Sequence, residues 1–179
     1  MLRPGESGLP ALDWHNGNRT VLVDPRLSGM VLGPTLHTTP AELYRAWIEA
    51  TAFGARTIVE RLEEYGVPIR RVVVCGGISV KNAPVLQIYA DVLGRPLEVA
   101  RSAQTCALGA AMAGAVAGGP ARGGHADFAA AAAAMTGVLE RVFRPGPSAA
   151  AVYAESYGLY RCLHDAFGRP GPRATCPTS

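Results

Sequence analysis

The sequence predicts an α/β fold, and three stretches carry that reading. Val72–Cys75 is a short, mostly β-branched apolar run that ends in Gly76-Gly77, the pattern of a strand covered on both faces and turning into a helix start. Thr39-Pro40-Ala41-Glu42 opens a long helical pattern that continues to about Tyr65. Beyond them, helical segments flank a further strand at Leu97–Ala100. A chain of 179 residues is one domain or a little more. Residues 1–10 are rich in Pro and Gly and read as a linker remnant, 11–168 as the domain, and 169–179 as a disordered tail.

Taken in order, Asn16-Gly17 is a turn signal, with Asp13, Asn16, Asn18 and Arg19 crowding polar groups around it. Two arrangements suit it: an Asx-turn or hairpin with a solvated Arg19, or a polar loop at a cleft edge. In the second, Arg19 or backbone N–H groups would face phosphate oxygens. Ser28–Leu32 reads as a short strand. The long helix has Thr39 as N-cap, Pro40 at its first position and Glu42 completing a capping box. Leu43, Trp47, Ala50, Gly54, Ile58 and Leu62 recur at helical spacing as its apolar stripe, and Arg45, Glu49, Arg56 and Glu60 fall mainly on the other side. Trp47 and Phe53 are assigned to the core. Gly66 caps the C-terminus and Pro68 prevents continuation.

Gly76 and Gly77 lack Cβ atoms where the chain turns, so a ligand and backbone N–H groups could approach closely; a plain tight turn would need the same residues. Asn82 caps a helix from Ala83 to Leu93. Thr105 caps another, Cys106–Ala115, whose Ala and Gly face suits close packing on a neighbour. An alanine-rich helix spans about 127–135, and Ser148 caps a last helix to about Phe167.

Net charge is +3 with scattered arginines, which argues against a nucleic-acid partner. Cys75, Cys106, Cys162 and Cys176 form no C-x-x-C pair and suit reduced thiols in a cytoplasmic protein. The longest small-apolar run, Ala107–Gly118, is too short and glycine-rich to span a bilayer. P-loop and dinucleotide fingerprints are missing, and His15, His37, His125 and His164 lack metal-ligand spacing and read as surface or capping residues. No aspartate sits where sequence alone identifies a general base. The residues offer a place for a nucleotide but no visible catalyst.

Four segments occur in the same order in one known family: Leu12–Thr20, Ala50–Arg56, Gly76-Gly77-Ile78 with Lys81-Asn82, and Cys106–Ala111. On them the chain resembles the C-terminal domain of the FGGY carbohydrate kinases, in their L-ribulokinase branch. The resemblance implies an actin-like, ribonuclease-H-like ATPase domain, a mixed sheet flanked by helices, with ATP and its Mg²⁺ in a cleft between two domains. It implies that the Gly76-Gly77 turn approaches the adenosine and that Asn82 lies near adenine, with Ile78 and Lys81 also among the nucleotide-binding residues. Asn16, Gly17, Asn18 and Arg19 would lie on the phosphate side, and no metal ligand is expected. The catalytic base and most sugar contacts belong to an N-terminal domain that this chain does not contain. The expectation is therefore the ATP-binding half of a ketopentose kinase, inactive alone. The alternative is a non-catalytic module that assembles with a separately encoded half or with itself.

Overall fold

The computed structural model describes residues 2–169, which divide into two units. One comprises the chain up to Arg70, Gln87–Arg95 and the stretch from Arg144; the other comprises Arg71–Leu86 and Pro96–Phe143. The expected tail lies, beyond Arg169, outside the described residues.

In the first unit, β1 (Ala11–Leu12) pairs antiparallel with β2 (Met30–Val31), Ala11 opposite Val31. The long helix α1 (Pro40–Glu64) starts as the sequence dictates: Thr39 accepts from Glu42 N, and the Glu42 carboxylate accepts from Thr39 N at 2.7 Å. Tyr65 ends it and Gly66 follows at φ +78°. Its buried face corrects the expected stripe. Ala46, Ala50, Ala52, Phe53 and Thr57 are buried, but so are Arg45 and Glu49, while Trp47 is 42% exposed. The reason is local chemistry. Arg45 Nε donates to Glu49 Oε1 at 2.6 Å, the Tyr153 hydroxyl donates to the same oxygen at 2.9 Å, and Arg45 Nη1 donates to Leu2 O at 3.0 Å. Charges that satisfy one another enter a core that hydropathy assigns to apolar residues. The last helix, α6 (Pro147–Gly168), begins with Pro147 after Gly146 and has no side-chain cap, so Ser148 does not cap it. Tyr153, Tyr157 and Tyr160 from its inner face pack around Phe53, ring centroids 5.5–6.1 Å apart. Leu12, Trp14, Ile88, Val92 and Leu163 complete this core.

In the second unit, β3 (Val72–Val74) pairs parallel with β4 (Leu97–Ala100), and β4 pairs antiparallel with β5 (Val138–Phe143). The order β3-β4-β5 is the expected mixed sheet, but β3 is its edge and Val73 is 44% exposed. The strand β5 was not legible: its residues up to Arg141 are exposed, leaving no alternation to read. A five-residue helix, α2 (Gly77–Lys81), precedes α3 (Ala83–Leu93), whose residues from Gln87 on belong to the first unit. The helix α4 (Thr105–Gly118) has Gln104, not Thr105, at its N-cap. None of its residues is buried, and Gly109 and Gly114 face open space. The helix α5 (Phe128–Met135) is capped by Asp127, which accepts from Ala130 N at 2.8 Å.

Candidate functional site

The double-glycine turn sits between β3 and α2. Gly76 has φ +88° and ψ 179°, a conformation open almost solely to glycine. Its carbonyl accepts from Ser79 N at 3.2 Å and Ser79 Oγ at 2.6 Å. Gly77 has no such backbone demand, and a Cβ there would meet nothing within 4 Å. Ile78 is 67% exposed. Lys81, also exposed, has no ion-pair partner among the described residues. Asn82 Oδ1 accepts from Val85 N at 3.4 Å, which starts α3 and leaves the amide NH₂ for other partners. Gly76, Gly77, Ile78, Lys81 and Asn82 thus share one exposed turn. With only five residues, α2 offers little helix dipole to attract an anion.

The Asn16–Arg19 loop belongs to the first unit, where it edges a cleft of about 510 Å³. The loop is an Asx-type turn placed at a cleft edge. Asn18 Oδ1 accepts from Val21 N at 3.2 Å and Leu22 N at 2.9 Å, an Asx-type turn. Gly17, at φ +73°, packs on the backbone of Pro25, where any Cβ would collide. Gly17 and Asn18 therefore build the loop, while Asn16 and Arg19 are exposed at the rim and have no partner among the described residues.

The floor joins Asp13 to groups that sequence reasoning did not connect with it. Asp13 Oδ1 accepts from the Tyr160 hydroxyl at 2.9 Å. His164, expected at the surface, is 1% exposed; it packs edge-on to Trp14 at 5.5 Å, with Nδ1 3.0 Å from Asp165 Oδ1. Tyr89 and Thr51 line the same cleft. The available signal was the Asp13-Trp14 pair next to the Asn-Gly turn, and its partners lie too far along the chain to be paired by spacing.

Gly54 explains part of the Ala50–Arg56 segment, since a Cβ there would strike Asp13 Oδ2. Alanine in a helix interior normally gains about 1 kcal/mol over glycine. Here Gly54→Ala should instead cost about 1–3 kcal/mol through overpacking against Asp13; a raised urea midpoint would refute the contact.

Burial pushes the Asp13 carboxyl above its ordinary value of 3.8, outweighing the Tyr160 hydrogen bond and the fields of His15 and His164. The folded chain thus holds this proton more tightly than the unfolded one. Its stabilising contribution is complete below that value and is lost as pH rises through the folded pKa. Asp13→Asn, which keeps an acceptor for Tyr160, should raise the urea midpoint at pH 7 relative to wild type, with the gain shrinking toward pH 4. A variant uniformly less stable across that range would contradict this.

The sequence pattern of the FGGY family of carbohydrate kinases, C-terminal domain, matches residues 5–118. The chain is 52% identical over 169 residues to the ribulokinase of Halalkalibacterium halodurans, and 51% identical over 167 residues to that of Geobacillus thermodenitrificans. These alignments cover 94% and 93% of this chain but 30% of each relative, so the chain spans about a third of the length of the curated relatives it matches. The crystal structure of xylulose kinase from Rhodospirillum rubrum superposes with a TM-score of 0.72 at 28% identity, covering 91% of this chain and 31% of that one. The expected actin-like, ribonuclease-H-like architecture is borne out by these neighbours.

Proposed function

As the chain belongs to the FGGY family of carbohydrate kinases, in which it corresponds to the C-terminal domain, we propose that it is the nucleotide-binding part of a ribulokinase-like enzyme. In this reading ATP binds at the Gly76-Gly77 turn, and its γ-phosphate passes to a hydroxyl of a ketopentose such as ribulose. The observation that carries the proposal is Gly77, which lies in open space with no backbone need for glycine, on the turn that the family resemblance assigns to adenosine. Gly76 and Gly77 would admit the adenosine, Ile78 would lie against it, and Lys81 and the Asn82 amide would flank the base. Asn16 and Arg19 are assigned to the phosphates, Gly17 and Asn18 holding their loop in shape.

Phosphoryl transfer depends on positioning and on charge stabilisation around the moving group. This chain supplies positioning for the nucleotide. The base for the acceptor hydroxyl is assigned to the N-terminal portion of the family, so the chain by itself should bind nucleotide weakly and transfer no phosphate. Among the described residues no group of three or more His, Cys, Asp or Glu could hold a metal, and Mg²⁺ is assigned to ATP itself. No described helix is long and apolar enough to cross a membrane.

The test is a calorimetric titration of the chain with Mg-ATP, with thermal unfolding in parallel, because a ligand that binds only the folded state must raise its stability. Absence of both heat and stabilisation in a folded chain would reject nucleotide binding by this domain alone. A second reading, a non-catalytic assembly module, draws on α4, where Gly109 and Gly114 face open space and no residue is buried. A monodisperse monomer in sedimentation would count against self-association.

A further inference from the structure

Residues 2–10 form neither helix nor strand, yet the first unit holds them on a defined course. Glu6 N donates to Arg3 O and Gly8 N to Gly5 O, both at 3.1 Å, which winds the stretch into two turns. From α1, Arg45 Nη1 donates to Leu2 O at 3.0 Å, and Glu49 Oε1 accepts from Gly5 N at 3.4 Å. Gly5, at φ +67°, lies so close to α6 that a Cβ would stand 2.9 Å from Val152 Cγ1. Leu9 packs with Ala11, Ala46 and Ala50, and Pro10 O accepts from Leu32 N at 2.9 Å. Leu9 and Pro10 are therefore anchored, while the hydrogen bonds that tie residues 2–8 to α1 go to their backbone. Release of this strap would strand no charge, because Arg45 and Glu49 keep each other and the Tyr153 hydroxyl.

Between the strap and the helices lies a cavity of about 120 Å³, lined by Gly5, Ser7 and Leu9 of the strap and by Glu49, Phe53 and Tyr160. Tyr160 also lines the larger cleft, where its hydroxyl donates to Asp13 Oδ1 at 2.9 Å. One side chain thus borders both spaces. A ring packed on every side is held in one arrangement, whereas a cavity beside it leaves room for a second. Lifting the strap opens that cavity to water and removes one wall from the ring cluster of Phe53 and Tyr160. We infer that the strap is a conformational device, its docking on α1 and α6 coupled through Tyr160 to the Asp13 carboxylate in the cleft. Such coupling is reciprocal, so a change at the Asp13–Tyr160 bond must alter the hold on the strap. The family pattern begins at Gly5, inside the strap, and most of each longer relative lies outside the matched stretch. The strap is thus a route by which another portion of such a protein would act on the cleft. The inference does not rest on the nucleotide reading, since none of these residues belongs to the Gly76–Asn82 turn.

Amide hydrogen exchange reads the strap. The Trp14 indole N–H, which lies in the field of the Tyr160 hydroxyl, reads the cleft as a single resonance in a Trp47→Phe background. Gly5→Ala drives the strap from α6 without altering Arg45 or Glu49, and should free the Gly8 amide and shift the Trp14 resonance. Tyr160→Phe removes only the hydroxyl bonded to Asp13, and should speed Gly8 exchange about tenfold, the scale of a typical coupling. Four results would each overturn the inference. Wild-type Glu6 and Gly8 amides that exchange as in an unstructured peptide would show that the strap is not docked. A Trp14 resonance unmoved in Gly5→Ala, or Gly8 exchange unchanged in Tyr160→Phe, would remove the coupling. A rise shared equally by the α1 amides would be loosening of the whole unit rather than of the strap. The wild-type and Tyr160→Phe measurements keep the inference testable even if Gly5→Ala fails to fold.

Discussion

Arg45→Ala should destabilise the chain by about 3–5 kcal/mol, the usual consequence of leaving a buried charge without its partner. The stranded group is Glu49, whose Oε1 receives Arg45 Nε at 2.6 Å and the Tyr153 hydroxyl at 2.9 Å. Both side chains of the pair are under 10% exposed, so water cannot replace the lost guanidinium. Arg45 also donates to Leu2 O, and Gly5 N donates to Glu49 Oε1 at 3.4 Å, so the substitution should release the first residues from α1 as well. Burial and the neighbouring Glu49 charge together push the Tyr153 hydroxyl far above the usual phenol range, so it remains a donor throughout the pH range of any folding experiment. Urea unfolding at pH 7 measures the loss. The double variant Arg45→Met with Glu49→Leu should recover much of it, because two apolar chains of similar length leave no charge behind. A single-variant cost below about 1 kcal/mol would mean that water reaches the pair and that it behaves as a surface ion pair.

That network also marks where sequence reasoning reaches its limit. The start of α1 was legible because a capping box is local: Thr39, Pro40 and Glu42 determine one another within four positions. Its buried face was not, because Arg45 and Glu49 are satisfied in the core by distant partners, Tyr153 more than a hundred positions away among them. The α3 boundaries followed from Asn82, Pro84 and Gly94, each acting on its own backbone. The strand β5 lacked any periodic signal, since exposed residues on both faces look like a loop. The site divides in the same way. The Gly76–Asn82 turn and the Asn16–Arg19 loop are contiguous motifs and could be marked directly. The cleft floor joins Asp13 to Tyr160 across 147 positions, a relation only folding creates. Gly54 could be seen to matter as part of a motif, but its reason, the Asp13 carboxylate lying against it, could not.

Gly76 and Gly77 should separate when substituted, although they are neighbours on one turn. Gly76→Ala places a Cβ on a residue at φ +88° and ψ 179°, where strain of about 1–3 kcal/mol is expected, so it should lower the melting temperature with or without ligand. Gly77→Val meets neither obstacle. Its backbone carries no positive φ, and nothing lies within 4 Å of the new Cβ. A β-branched residue in the first turn of α2 costs at most a few tenths of a kcal/mol relative to better helix formers, and replacing glycine offsets this. The folded chain should therefore accept valine while its branched methyls fill the space assigned to adenosine. The expected result is an unchanged melting temperature without nucleotide, together with loss of Mg-ATP heat and of ATP-induced stabilisation. Should Gly77→Val bind Mg-ATP as wild type does, the turn is a structural βα connection and the nucleotide lies elsewhere. Should both variants lose stability equally, the open space at Gly77 is filled in solution by protein rather than ligand. Only a variant that is fully folded yet no longer responds to ATP assigns the missing Cβ at position 77 to nucleotide approach.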